Sequence, residues 1–367
     1  MTTTATTTPA VRYECPACEQ QYAPTEAWRC CCGRPLEFVD RPELSDELDR
    51  TRGVWAGGLP PVGPRARLGA GWTPLVAGPH TAVSYKLEGV NPTGSFKDRG
   101  AAVTISLADA LGVDRVCEDS SGNAGTAIAT YAARAGIDAE IYVPADADSG
   151  KLRAIERTGA KLVRVEGSRQ QATAACHDAV AAGRGWYASH AWQPAFLTGT
   201  ASIAGEIYAQ LGGVPDAVVV PTGHGTLLLG LYRGFQALQA AGKTADADIG
   251  TDTLPRLYAA QAAGTAPVVA AHHDSNAAAG DNNLADGIQV REPARGEQIR
   301  AAVTNTGGTA LAIGADATRR HRDRLRKAGI SIEPTCAVAP AALAALRDRG
   351  EIGPEESVVV PLTGRAK

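Results

Sequence analysis

The sequence predicts an α/β protein of two doubly wound domains with mostly parallel sheets, preceded by a small cysteine-rich, ribbon-like module. Three observations predict it. Short apolar runs alternate with Ala-rich helical runs between residues 115 and 240, the pattern of βαβ units. Turns rich in Gly, Ser and Asn recur where a run ends and a helical pattern begins, the place where such sheets bind ligands. Five of the eight cysteines, Cys15, Cys18, Cys30, Cys31 and Cys32, crowd together near the amino end.

The module, residues 10–40, is too short for a hydrophobic core of its own. Nothing in residues 1–9 reads as a charged region followed by an apolar run, so the expected location is cytoplasmic and metal binding outweighs disulfides. Cys15, Cys18, Cys30 and Cys32 are the candidate ligands of a structural zinc. Only Cys31 separates the second pair, where a regular ribbon has two residues. A linker over 41–71 follows, rich in Pro and Gly from residue 57.

Strands are expected at 115–117, 139–143, 161–165 and 217–220, and helices at 124–135, 150–158, 170–182 and 227–240. Residues 259–286, with their Ala, Gly, Asn and His content, read as loops joined by short elements. Net charge is −3 and the Lys and Arg residues are spread along the chain, which disfavours nucleic acid and membrane surfaces. No apolar stretch is long enough to span a bilayer.

Four segments carry chemistry. Asn91-Pro92-Thr93-Gly94-Ser95-Phe96-Lys97-Asp98-Arg99-Gly100 is a turn leading into a helix, which places Lys97 near a helix N-terminus. Positive partial charges and partial desolvation there favour the neutral amine, as imine formation with an aldehyde cofactor requires. Phe96 offers a flat apolar face. A solvated lysine in a charged run is the competing reading.

Ser120-Ser121-Gly122-Asn123 precedes a helix and suits a carboxylate or phosphate, or else is an ordinary cap. Gly223-His224-Gly225-Thr226 follows a strand and resembles a phosphate-binding loop, without the Lys-Ser/Thr ending of a nucleotide loop. Thr363 ends a buried-looking Val run, where its hydroxyl can meet a ring nitrogen and leave it unprotonated, or simply close the strand.

Together, in this order, the segments resemble the fold-type II pyridoxal-phosphate enzymes, the tryptophan-synthase-β-like group, and within it the threonine synthases. Gly94-Ser95-Phe96-Lys97-Asp98-Arg99-Gly100 is the most specific match, and the likeness runs from the cysteine module through Trp72-Thr73-Pro74-Leu75 to Leu362-Thr363-Gly364. The expected division is a large cofactor-binding domain over 72–104 and 197–367 and a small α/β domain over 105–196.

The resemblance implies pyridoxal 5'-phosphate bonded to Lys97, with Phe96 against the ring and Asn123 at the phenolic oxygen. It further implies Gly223, His224, Gly225 and Thr226 at the phosphate and Thr363 at the ring nitrogen. Ser120, Ser121, Gly122 and Asn123 would hold the substrate carboxylate.

The activity implied is elimination or replacement on an amino acid in a biosynthetic pathway, foremost O-phosphohomoserine to threonine and phosphate, by a homodimer. Alternatives are β-chemistry on serine, O-phosphoserine or a related amino acid, and a regulatory protein that binds the cofactor without turnover. One departure concerns the substrate. Ser189-His190-Ala191-Trp192-Gln193-Pro194-Ala195-Phe196 occupies the place of a family segment whose arginine grips the substrate phosphate, and it contains no arginine. Trp192 and Phe196 could be core or could line an altered pocket.

Overall fold

The computed structural model describes residues 11–40, 48–58, 61–78, 82–147, 149–244, 254–275 and 280–366. Residues 1–10, which include the first residue of the expected module, parts of the expected linker (41–47 and 59–60) and part of the expected loop region (276–279) lie outside the described residues. The described chain divides into two compact units, one within 1–42, 60–68 and 100–199, the other within 43–59, 69–99 and 200–367.

The first unit begins with β1 (Tyr13–Glu14), β2 (Gln21–Tyr22) and β3 (Glu37–Phe38), an antiparallel set with β1 in the centre. The second unit then supplies β4 (Leu75–Ala77) and β5 (Val83–Leu87), and helix α1 (Lys97–Ala110) follows.

A run of alternating elements completes the first unit: β6 (Arg115–Glu118), α2 (Asn123–Ala135), β7 (Asp138–Pro144), α3 (Ser149–Glu156), β8 (Lys161–Val165), α4 (Arg169–Ala181) and β9 (Trp186–Tyr187). Its four-stranded sheet has the order β8-β7-β6-β9, parallel throughout. Local chemistry sets the helix ends. Helix α2 stops at Gly136, whose left-handed backbone (φ 73°) lets its N–H reach the carbonyls of Ala132 and Ala133. Helix α4 starts where the Ser168 N–H donates to Gln171 Oε1 at 2.6 Å, half of a capping box.

Helix α5 (Pro194–Leu211) leads into the second unit, which continues with β10 (Ala217–Pro221), α6 (Thr226–Ala240), β11 (Arg256–Ala262), α7 (Pro267–His272), α8 (Gly296–Asn305), β12 (Ala310–Ile313), α9 (Ala315–Lys327), α10 (Val338–Asp348) and β13 (Val358–Leu362). The sheet order is β12-β11-β10-β13-β5-β4, with five parallel strands and β4 antiparallel on the edge. Strands β10 and β13 are buried at every position, the mark of central parallel strands covered on both faces. Helices α5 and α6 pack backbone to backbone, because a Cβ on Gly234 would run into the Ala201 carbonyl oxygen.

The expected α/β architecture with parallel sheets is what forms. One expectation is revised: residues 259–262, read as the start of a stretch of loops and short elements, belong to the strand 256–262 of the six-stranded sheet, with all but Arg256 buried. Its Ala and Gln content carries little β propensity, and burial between two neighbouring strands overrides it. Among the described residues no helix is long and apolar enough to cross a membrane.

Candidate active site

In the second unit the lysine segment is held by buried charge. Arg99 is fully buried and clamps two carboxylates: its Nε and one terminal nitrogen reach Glu88 at 2.7 and 2.8 Å. Its terminal nitrogens also meet both oxygens of Glu206. Lys86 Nζ adds a contact to Glu206 Oε2 at 2.7 Å. Two cations and two carboxylates therefore balance out of water, the condition under which such a cluster is tolerated.

The Glu206 carboxyl is held down at about 2, since the Arg99 guanidinium outweighs the opposing effect of burial. Asp98, also buried, accepts from the Thr93 N–H at 3.0 Å and the Thr93 hydroxyl at 2.9 Å. A charged run that looked compatible with a solvated lysine is instead an anchored one. Lys97 itself is half-buried.

Lys97 is the first residue of α1, and its Nζ stands 4.6 Å from the centre of the Phe96 ring and 3.4 Å from Thr226 Oγ1. Thr226 opens α6, after Gly223, His224 and Gly225. Gly225 has φ 74°, and a Cβ there would also lie 2.2 Å from Ile299 Cδ1; no other residue fits that turn without strain. The N-cap of α6 is Gly225, which has no side chain to cap it, and the amides of the first turn have no intrahelical acceptor. The loop is set by Thr222, whose N–H donates to the Ala260 carbonyl at 2.7 Å while its own carbonyl accepts from Gln261 Nε2 at 3.1 Å.

Thr363 follows β13 and is buried. Its carbonyl accepts from the Phe96 N–H at 3.0 Å, so the strand end and the lysine turn are stitched together. Its hydroxyl lies 3.0 Å from Cys336 Sγ. Cys336 carried no signal in the sequence beyond its small-residue surroundings.

In the first unit, Ser120, Ser121 and Gly122 follow β6, and Asn123 opens α2, which also has no side-chain cap. Ser120 Oγ accepts from the Gly122 N–H at 3.3 Å. Asp119, just before, accepts from the Tyr187 hydroxyl at 2.8 Å and the Thr173 hydroxyl at 2.6 Å. Glu118, fully buried, meets His190 Nδ1 at 2.7 Å. These supporting pairs span 54 to 72 residues of sequence, and no local pattern announces them.

The arginine-free segment has a structural use. Phe196 is fully buried, and a Cβ on Gly100 would lie 2.2 Å from its ring. Trp192 stacks edge-on against Trp28 of the cysteine module at 4.9 Å, and Trp28 also meets Tyr187 and His177. Gln193 accepts from the Tyr13 hydroxyl at 2.8 Å and donates to the Tyr187 carbonyl at 2.5 Å.

The module brings Cys15, Cys18, Cys30 and Cys32 together, with their sulfurs all within 4.8 Å of one another. The irregular spacing of the second pair does not prevent convergence. The Cys30 thiol is pulled down to about 6: burial opposes ionisation, but the Tyr22 hydroxyl, 3.3 Å away, and neighbouring groups overcome it.

An amine over an aromatic face, an uncapped helix start beside it and a neutral hydroxyl at a strand end form a donor set that fits an aldehyde cofactor bearing a ring nitrogen and a phosphate. Residues 66–364 match the family described as pyridoxal-phosphate dependent enzyme. The chain is 30% identical over 374 residues to the threonine synthase of Methanosarcina acetivorans, covering 96% of this chain and 90% of that one. It is likewise 30% identical over 376 residues to the threonine synthase of Methanocaldococcus jannaschii, covering 95% and 91%.

Among solved structures, an L-serine ammonia-lyase from Rhizomucor miehei superposes with a TM-score of 0.68 at 21% identity, over 80% of this chain and 93% of that one. A threonine deaminase from Solanum lycopersicum gives 0.65 at 22%, over 78% and 76%. These two likenesses speak to fold alone. With the match running from residue 66 to residue 364, the chain belongs to the pyridoxal-phosphate dependent enzyme family and is an enzyme whose cofactor is pyridoxal phosphate.

Proposed function

We propose that this enzyme eliminates or replaces a substituent on an amino acid, foremost as a threonine synthase-like enzyme converting O-phosphohomoserine to threonine and phosphate. The observation that carries the reading is Lys97 Nζ held at a helix start over Phe96 and 3.4 Å from the Thr226 hydroxyl; sequence identity with threonine synthases over nearly the whole chain supports it.

Lys97 would bind the cofactor aldehyde, Phe96 would cover one ring face, and Gly223, His224, Gly225 and Thr226 would hold the phosphate at the positive end of α6. Asn123 would contact the phenolic oxygen, Thr363 the ring nitrogen, and the 120–123 turn the substrate carboxylate. When bound, pyridoxal phosphate supplies an electron sink for the pair left at the substrate α-carbon. Lys97 Nζ would take the α-proton and return it.

A second reading, β-elimination or β-replacement on serine, O-phosphoserine or a related amino acid, is favoured by the segment 189–196. It lacks an arginine, and Phe196, Trp192 and Gln193 are committed to packing and to the module. Holding a dianionic phosphate without a guanidinium would fall to other residues. Assaying the holoenzyme against O-phosphohomoserine, O-phosphoserine, serine and threonine, with phosphate, ammonia and amino-acid products measured, separates the two. Threonine and phosphate from the first substrate support the leading reading, and turnover of the three-carbon substrates alone overturns it. The reading also includes a homodimer, as the resemblance implies; a monomeric mass of the holoenzyme by light scattering would remove that part.

The four converging thiols support a structural zinc in the module. Metal analysis of freshly purified, reduced protein tests it, and the absence of zinc would sink it.

A further inference from the structure

Cys336 lies in the turn before α10, 27 residues from Thr363, and is fully buried. Its sulfur makes three polar contacts: Thr363 Oγ1 at 3.0 Å, the Gly364 carbonyl at 3.1 Å and the Gly364 N–H at 3.1 Å. The N–H can only donate, so sulfur accepts there. The thiol has one proton and two acceptors to choose between.

Each choice sets the direction of the Thr363 hydroxyl. If the thiol donates to the Gly364 carbonyl, the hydroxyl proton can point back to sulfur, and Thr363 presents lone pairs to the site. If the thiol donates to Thr363 Oγ1, the hydroxyl proton is directed away from sulfur and Thr363 is a donor. Two observations favour the second arrangement. The Gly364 carbonyl already accepts from the Glu333 N–H at 3.1 Å, so losing the thiol leaves it satisfied. Sulfur is a weak acceptor and is already engaged by the Gly364 N–H, whereas an unprotonated pyridine nitrogen is a strong one.

We propose that Cys336 is a positioning residue that donates its thiol proton to Thr363 and thereby fixes the Thr363 hydroxyl as a donor toward a neutral ring nitrogen of the cofactor. The inference rests on Thr363 meeting that nitrogen, as put forward above. Burial, reinforced by the Glu333 carboxylate, pushes the Cys336 thiol up to about 12, so the proton stays in place through the neutral range. Threonine alone can act as donor or acceptor by rotating its hydroxyl; the thiol behind it removes that ambiguity. A neutral ring is a weaker electron sink, suited to elimination more than to prolonged carbanion storage.

The test is the ring-nitrogen NMR resonance of holoenzyme loaded with 15N-labelled pyridoxal phosphate, followed against pH in wild type, Cys336→Ser, Cys336→Ala and Cys336→Val. Wild type and the Ser variant, which keeps a donor, should show the neutral-pyridine resonance throughout. The Ala and Val variants should move toward the protonated position as pH falls and bind cofactor about tenfold more weakly, the weight of one hydrogen bond.

Should the Ala variant fail to fold, Val refills the volume without the proton. An unchanged resonance in Ala or Val, or a change in Ser equal to theirs, overturns the proposal. If wild type binds cofactor with a protonated ring, the placement of Thr363 fails first, and that outcome is visible before any variant is made.

Discussion

The Tyr13 hydroxyl donates to Gln193 Oε1 at 2.8 Å, with both side chains fully buried, and so joins the first strand of the cysteine module to the arginine-free segment 189–196. Trp28 and the Pro24 carbonyl, which accepts from Trp186 Nε1 at 2.8 Å, strengthen the same junction. The module is thus part of the first unit's packing.

Tyr13→Phe keeps the ring and strips the donor from a buried amide oxygen. The expected loss is roughly 1–3 kcal/mol, the penalty for an unsatisfied buried acceptor. Urea denaturation of the variant beside wild type measures it; an unchanged midpoint would show that Gln193 finds another donor.

Glu206→Gln leaves Arg99 and Lys86 facing one carboxylate, Glu88. Removing one member of a buried charge cluster costs roughly 3–5 kcal/mol, and the lysine turn should loosen with it. The variant should unfold at lower urea and bind cofactor less well.

Acid should probe the same cluster. The folded Glu206 carboxyl titrates near 2, below its ordinary 4.5, because Arg99 overrides burial. A depressed carboxyl contributes stability that is fully present above the ordinary value and is lost as pH falls through the folded one. Stability of wild type should therefore decline between about pH 4.5 and 2 more steeply than that of Glu206→Gln, as read from urea midpoints across that range.

Gly225→Ala places a side chain at φ 74° and 2.2 Å from Ile299. The left-handed backbone alone costs about 1–2 kcal/mol, and displacement of the first α6 amides should weaken pyridoxal phosphate binding about tenfold or more. Titrating the cofactor-free protein and following cofactor absorbance checks this. Lys97→Ala should instead lose the covalent absorbance band altogether, and its turnover should fall on the order of 10²–10⁴-fold from lost proton transfer alone.

Cys18→Ser removes one of four converging thiols. Zinc content should fall, and because a structural metal contributes directly to folding, the melting temperature should fall with it. Equal zinc and equal melting in the variant would exclude Cys18 as a ligand.

Much was legible along the chain because its information is local. The alternation of apolar and Ala-rich runs, the turn before Lys97, the Gly-rich loop before Thr226 and the crowding of cysteines are all patterns within a few residues, governed by backbone propensity and periodicity. They sufficed for the α/β class and for marking Lys97 as the candidate cofactor lysine.

Tertiary structure alone decided which distant side chains meet. Arg99 finds Glu206 across 107 positions, Tyr13 finds Gln193 across 180, and Cys336 finds Thr363 across 27. It also made a central strand of residues 256–262, whose composition argues weakly for one. The reason is physical: a buried polar group is defined by the partner that satisfies it, and that partner is chosen by the packing of the whole core, not by its neighbours in sequence.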